Sequence, residues 1–251
     1  MQTKEILNDL TVLLEPEKFK DYAPNGLQVQ GADETQKIIC GVSASEALID
    51  VAIQMGAQTI IVHHGYFWKN ESPRIVGIKR NRLKKLLSHD INLIAFHLPL
   101  DAHPEIGNNV LFGRAMGVKA PAAMASEPFV WYGELQEPVT VDGLRNNLNQ
   151  ILEREVFVES IESAPAEIRK VAWCTGAGQD FLQTAAELGV QAFISGEISE
   201  RTILESRELG IPYFCVGHHA SETFGISAVA KWLHMKYPEL EVDFVDIVNP
   251  V

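Results

Sequence analysis

At 251 residues, with 46% apolar and 22% charged side chains, 18 Gly and 12 Pro, the chain has the composition of a globular protein, and collagenous, low-complexity and disulfide-scaffold classes are excluded. Its formal net charge of -12 (21 basic against 33 acidic side chains), with one basic cluster at Lys79–Lys85, disfavours a nucleic-acid-binding module. No apolar stretch nears the ~18 residues of a membrane span, and Asn8 and Asp9 stand where an export signal needs apolar residues, so a cytoplasmic protein is expected.

In chain order, apolar β-branched runs alternate with amphipathic stretches, the pattern of β-α-β units in a mainly parallel sheet. Two of these units look alike. KIICGVSASEALIDVAIQMGAQTIIVHHG, from Lys37, and KVAWCTGAGQDFLQTAAELGVQAFISGE, from Lys170, align without a gap. In each, a strand leads to a helix, a Gly (Gly56, Gly189) stops the helix, and a second strand ends in a polar turn. The strand-like segments Ile91–Asp101 and Ile211–Glu222 extend the correspondence. The reading is therefore an α/β fold of two similar domains from an internal duplication.

Between the copies, the basic cluster alternates with Leu83, Leu86 and Leu87 at helical spacing and predicts a solvated helix face. Pro99 predicts a loop after His97. The join is expected where KAPAAMASEP carries two prolines and no periodicity, giving a first domain over residues 1–125 and a second over 126–251 whose terminal segment can pack back on the first. Strands are predicted in PFVWYGEL and REVFVES around a helix from Val141 to Leu152. A helix follows from Gly225 to Tyr237, stopped by Pro238, and a last strand from Glu241 to Val248. Cys40, Cys174 and Cys215 lie in strand-like runs and are expected to be reduced, buried thiols.

The chemistry gathers at the histidines. Six of the eight fall in three segments at predicted strand C-terminal ends, where open α/β sheets receive ligands: His63 and His64, His97 and His103, and His218 and His219. Asp101 follows His97 by four residues, and Glu222 follows His218 by four, so a helix starting at His218 would put that pair on one face. Imidazoles with carboxylates and without thiolates suit two divalent ions such as Zn, Fe, Mn, Ni or Co. His63, His64, His218, Glu222 and Asp101 are the candidate ligands, with a carboxylate bridging two ions. His97 is open to a ligand, acid/base or supporting role, and His103 and His219 to orienting or simple polar contacts. His89 and His234 read as structural. The TGAG turn at Thr175–Gly178 lacks phosphate-loop spacing and reads as a tight strand-helix turn. Asn25 and Gly26 read as a turn, and Asn108, Asn109 and Glu197 as structural residues. Phe67 and Trp68, after the adjacent histidines, are candidates for a subunit contact, a cleft wall or the core.

Taken together, NGLQVQG, VHHGYFW, HLPLDAHPEIGNN, TGAGQDF, SGE and GHHASE resemble the YbgI-like family of GTP cyclohydrolase I type 2 homologs, over nearly the whole chain from Asn25. The resemblance implies two similar α/β domains, a dinuclear metal centre in the cleft at the strand ends, and a toroidal homohexamer. By motif it assigns the metal ligands to His63, His64, Asp101, His218 and Glu222. The expected activity is metal-dependent hydrolysis of a nucleotide or related small molecule by activated water, with His97 as proton shuttle. A metal-binding oligomeric scaffold or a metal-delivery protein is the alternative.

Overall fold

The computed structural model describes residues 1–161 and 164–251. Its first half runs through α1 (Thr3–Leu14), β1 (Gly26–Val29), β2 (Lys37–Ser43), α2 (Glu46–Gln54), β3 (Thr59–His64), α3 (Gly77–Ser88), β4 (Asn92–Ala95), α4 (Leu98–Ala102) and α5 (Asn108–Ala115). There follow β5 (Val118–Met124), β6 (Glu127–Val139), α6 (Val141–Leu152), β7 (Phe157–Glu159), β8 (Ile168–Cys174), α7 (Leu182–Ala186) and β9 (Ala192–Ser195). The chain closes with α8 (Glu200–Leu209), β10 (Tyr213–Cys215), α9 (His218–Ser221), α10 (Thr223–Lys236) and β11 (Glu241–Phe244). These elements form two compact units, one of Met1–Leu100 with Gly225–Ile247 and one of Asp101–Phe224 with Val248–Val251.

The first unit holds a five-stranded sheet in the order β1-β4-β3-β2-β11, with β2, β3, β4 and β11 parallel and β1 antiparallel to β4. The runs KIICGVS and TIIVHH are apolar on both faces because both faces are covered, as a parallel sheet requires. Between them, Ser45 Oγ accepts the Leu48 N–H at 3.2 Å and starts α2. Gly56, at φ 67°, turns the chain out of the helix. Leu48, Ile49 and Ala52 then pack with Ile39, Ile60, Val62 and Leu93 of the sheet.

A six-stranded sheet, β5-β6-β8-β9-β10-β7, forms the second unit; β8, β9 and β10 are parallel, and β5, β6 and β7 are antiparallel to their neighbours. Alternation sorts its strands between two cores. Trp173, Ile194 and Phe214 pack with Phe112, Leu144 and Leu148, whereas Ala172, Phe193 and Tyr213 pack with Leu182, Ala185 and Val190. The fold is thus α/β with two mixed sheets, each holding three consecutive parallel strands. Among the described residues no helix is long and apolar enough to cross a membrane, and all three cysteines are free.

Three local expectations change. The segment expected as the join forms β5 and the start of β6, an antiparallel pair; Pro121 lies on β5, the sheet's edge strand, and Pro128 at the start of β6. The loop expected from Pro99 is α4; in the first turn a proline's missing N–H has no helical partner to lose. The final strand stops at Phe244. The two compact units also divide at Leu100 and Phe224, and β11 pairs with β2 inside the first.

Candidate metal centre

In the first unit the strand ends deliver imidazoles. His63 and His64 close β3, and although neighbours in a strand alternate faces, their ring centroids lie 4.4 Å apart where the strand gives way to Gly65. His97 follows β4, and one nitrogen from each of His63, His64 and His97 lies within 4.8 Å of the others. Their outer nitrogens are held from behind. His63 Nδ1 is 3.0 Å from the Phe96 carbonyl, an acceptor only, so Nδ1 carries the proton and Nε2 keeps its lone pair. His97 Nδ1–H likewise donates to Asp21 Oδ1 at 2.9 Å. His64 Nδ1 meets Ser43 Oγ at 3.1 Å.

Asp21 is fixed in turn. It accepts from Asn25 Nδ2 and the Leu98 N–H, while Asn25 Oδ1 accepts the His97 N–H. Burial pushes the Asp21 carboxyl up, but the hydrogen bonds from His97 and Asn25 outweigh it and hold the group at about 2. Trp68 stands edge-on to His97, ring centroids 5.1 Å apart, so it walls the imidazole cluster, whereas Phe67 is half-exposed.

Carboxylates dominate the second unit. Glu222 follows the one-turn helix α9, and its Oε2 lies 3.2 Å from His218 Nε2. Asp101, on α4, brings a carboxylate oxygen within 4.8 Å of one of Glu222. Both are buried. Asn108 Nδ2 donates to Asp101 Oδ1 at 2.8 Å, and His218 Nδ1 lies 2.7 Å from Glu197 Oε1. Burial lowers the His218 pKa, yet Glu222 and then Glu197 raise it, and the imidazole sits at about 9.

This donor set fits a divalent cation. Two buried carboxylates close together repel, and an imidazole lone pair facing a carboxylate oxygen needs a proton or a metal between them. Space is reserved for the arrangement: a Cβ on Gly176, itself at φ 67°, would lie 2.1 Å from Glu222 Oε1 and 3.2 Å from His218 Nε2. The TGAG turn is not a phosphate cradle, since the N–H groups of Thr175, Gly176 and Gly178 are taken by Asn109 Oδ1, Ser221 Oγ and Ser195 Oγ.

Known proteins align with this chain from end to end. The family model for Duf34/NIF3 (NGG1p interacting factor 3) matches residues 1–250. The chain belongs to the Duf34/NIF3 family. A GTP cyclohydrolase 1 type 2 homolog of Yersinia pestis is 50% identical over 232 residues, 92% of each chain. The Escherichia coli K12 protein of the same description is 48% identical over 250 residues, 100% of both. The solved structure of protein ybgI, described as of unknown function, superposes with a TM-score of 0.96 at 47% identity over 100% of both chains.

Several residues of this Duf34/NIF3 protein that touch candidate ligands escaped the sequence reading. Asp21 had no histidine neighbour to flag it. Asn25 read as part of a turn, and Asn108, Asn109 and Glu197 as structural residues. What marks Asn108 and Asn109 is their full burial in the folded chain, which demands polar partners. His103 serves as a loop cap, its Nδ1 accepting the Glu105 and Ile106 N–H groups. His219 donates its backbone N–H to Val251. His89 and His234 are exposed on helical segments.

Proposed function

We propose that this Duf34/NIF3 protein is a metal-dependent hydrolase acting on a nucleotide or a related small molecule. In this reading His63, His64, Asp101, His218 and Glu222 hold two divalent cations (Zn, Fe, Mn, Ni or Co), with Glu222 touching both. The observation that carries it is the tautomer arrangement: His63 and His218 each have Nδ1 tied to an oxygen of the chain, which leaves Nε2 to bind, and His97 is held in the same way, which leaves its Nε2 to carry a proton. Bound dications would supply Lewis-acid charge and make water nucleophilic near neutral pH. The nucleotide class rests on the relatives' description as GTP cyclohydrolase 1 type 2 homologs.

The chain's own part is to bind, orient and move protons. Asn108 fixes the Asp101 carboxylate and Glu197 the His218 ring. His97, its Nδ1–H kept on Asp21, takes a proton at Nε2, and the Asp21 charge stabilises the imidazolium that forms. Trp68 beside it limits water. With the centre go the toroidal homohexamer and the cytoplasmic location expected from the sequence.

The test is turnover by metal-loaded protein of GTP and a panel of nucleotides and phosphoesters, alongside metal analysis. We expect two ions per chain and activity that chelator removes. Protein that binds both ions and turns over nothing is not a hydrolase; if chelator then dissociates the assembly, the ions serve a scaffold. Sedimentation as a monomer would reject the hexamer alone.

A further inference from the structure

Two aromatic rings border the imidazoles of the first unit. Tyr22, between α1 and β1, and Trp68, between β3 and α3, stand on separate loops, yet the centroid of each ring lies 5.1 Å from that of His97, at interplanar angles of 69° and 86°. Trp68 is also 6.0 Å from the His64 ring and 6.0 Å from Tyr22, with the two aromatic planes 35° apart. Rings inclined so alike, and so steeply to one imidazole, turn their faces in similar directions beside it.

The backbone fixes the pair. Asp21 Oδ1 accepts the Tyr22 N–H at 2.7 Å, so the carboxylate that holds His97 also sets the turn that carries Tyr22. The Lys69 N–H donates to the Tyr22 carbonyl at 2.8 Å and ties the two loops together. Immediately before Trp68, Phe67 holds φ 65°, a left-handed value that a bulky side chain adopts at a cost. Core packing is an incomplete reason for that cost, because Tyr22 is 54% exposed and Trp68 is half-buried. Aromatic rings held in place while keeping open surface are what a stacking site needs, since little freedom is left to lose on binding. Phe67 is otherwise engaged, with Lys79 Nζ 4.9 Å from its ring centroid.

We propose that Tyr22 and Trp68 are specificity-determining residues, a platform on which a planar heteroaromatic ring of the substrate stacks beside His97. Every nucleobase has such a π-face, whereas an aliphatic phosphoester has none. The inference rests on the reading of this centre as a substrate site, and it narrows the substrate from small molecules at large to those that carry a flat ring.

The probes are GMP and ribose 5-phosphate, which share sugar and phosphate and differ by the base, added to full-length, zinc-loaded protein carrying 5-fluorotryptophan. Its four tryptophans give four fluorine signals, and Trp68→Phe assigns one. We expect GMP to move the Trp68 signal saturably and to bind about tenfold or more tighter than ribose 5-phosphate. Tyr22→Leu should remove most of that difference by weakening GMP alone, and Tyr22→Phe, which keeps the ring, should preserve it. Absence of a saturable Trp68 shift with GMP, equal affinity for the two probes, or a Tyr22→Leu protein that loses both alike overturns the proposal, the last by reducing Tyr22 to a support of Asp21. Turnover of phosphoesters whether or not they carry a base would sink the platform and keep the hydrolase, whereas a GMP preference in protein that turns over nothing would keep the platform and sink the hydrolase.

Discussion

Both units carry three consecutive parallel strands joined by helices, yet their strand ends are furnished differently. The first presents three imidazoles, His63, His64 and His97, backed by a carbonyl, a hydroxyl and a carboxylate. The second presents one imidazole and one carboxylate, His218 and Glu222, after β10, and Asp101 of the same unit adds a carboxylate from α4; Asn108 and Glu197 back Asp101 and His218. In the paired sequence segments His64 and Glu197 occupy matching positions at the end of the second strand. One offers a ring nitrogen, and the other orients a neighbour's ring. The frame sets where a strand ends, while the residue type there decides whether the position binds or supports. If both sets serve the proposed cations, the carboxylates would offset their charge and the imidazoles would add affinity without adding charge.

The largest break in that division should come from Glu222→Gln. The change keeps the side chain's size and removes a buried negative charge in contact with His218. We expect loss of at least one metal ion per chain with circular dichroism unchanged, because the β-α-β cores bury their apolar faces without it. Full two-ion occupancy at unaltered affinity would move the bridging role to Asp101.

His97→Gln asks whether an imidazole of the first unit binds or shuttles. As a proton shuttle its loss should lower turnover about 10²–10⁴-fold with both ions retained. Departure of one ion instead would make His97 a third imidazole ligand of its unit.

The sequence exposed the parts of this arrangement that depend on spacing. Paired histidines at strand ends, and His218 one helical turn before Glu222, are local patterns, and the structure places α9 at His218 as that spacing required. The supporting residues are long-range. Asp21 meets His97 across 76 positions of chain, and Asn109 meets Thr175 across 66, and no periodicity encodes such partners. The misread join has another cause. KAPAAMASEP is poor in strand-forming residues, but β5 borrows order from β6, so pairing overrides its weak local preference.

Supporting residues give a smaller, paired effect. Asp21→Asn and Glu197→Gln each remove the charge that holds a ring through Nδ1, one in each unit. Loss of such an outer partner weakens metal binding by about 10–100-fold. We expect titration with zinc to show that range for Glu197→Gln, whose partner His218 is a candidate ligand, whereas Asp21→Asn, which acts through His97, should keep its zinc affinity and lower turnover, more of which Asp21→Glu should recover. Unchanged zinc affinity in Glu197→Gln together with unchanged turnover in Asp21→Asn would reduce these contacts to packing.

The smallest effect separates the units by pH in the metal-free protein. In the second, His218 lies at about 9 against its ordinary 6.5, so burial is outweighed by Glu222 and Glu197. Because the folded value is the raised one, the stability it contributes is complete below 6.5 and disappears as pH climbs through about 9. In the first, Asp21 lies at about 2 against 3.8, burial being outweighed by the His97 and Asn25 hydrogen bonds. Its contribution is present above 3.8 and is lost only as pH falls through about 2. Calorimetry of metal-free protein should therefore show a Tm a few degrees lower at pH 9 than at pH 6.5, with a smaller difference in Glu197→Gln. Metal should bind more tightly over the same rise, since the proton on His218 competes with it. A Tm that is flat across that interval would mean that His218 and Glu222 do not share a proton in the folded chain.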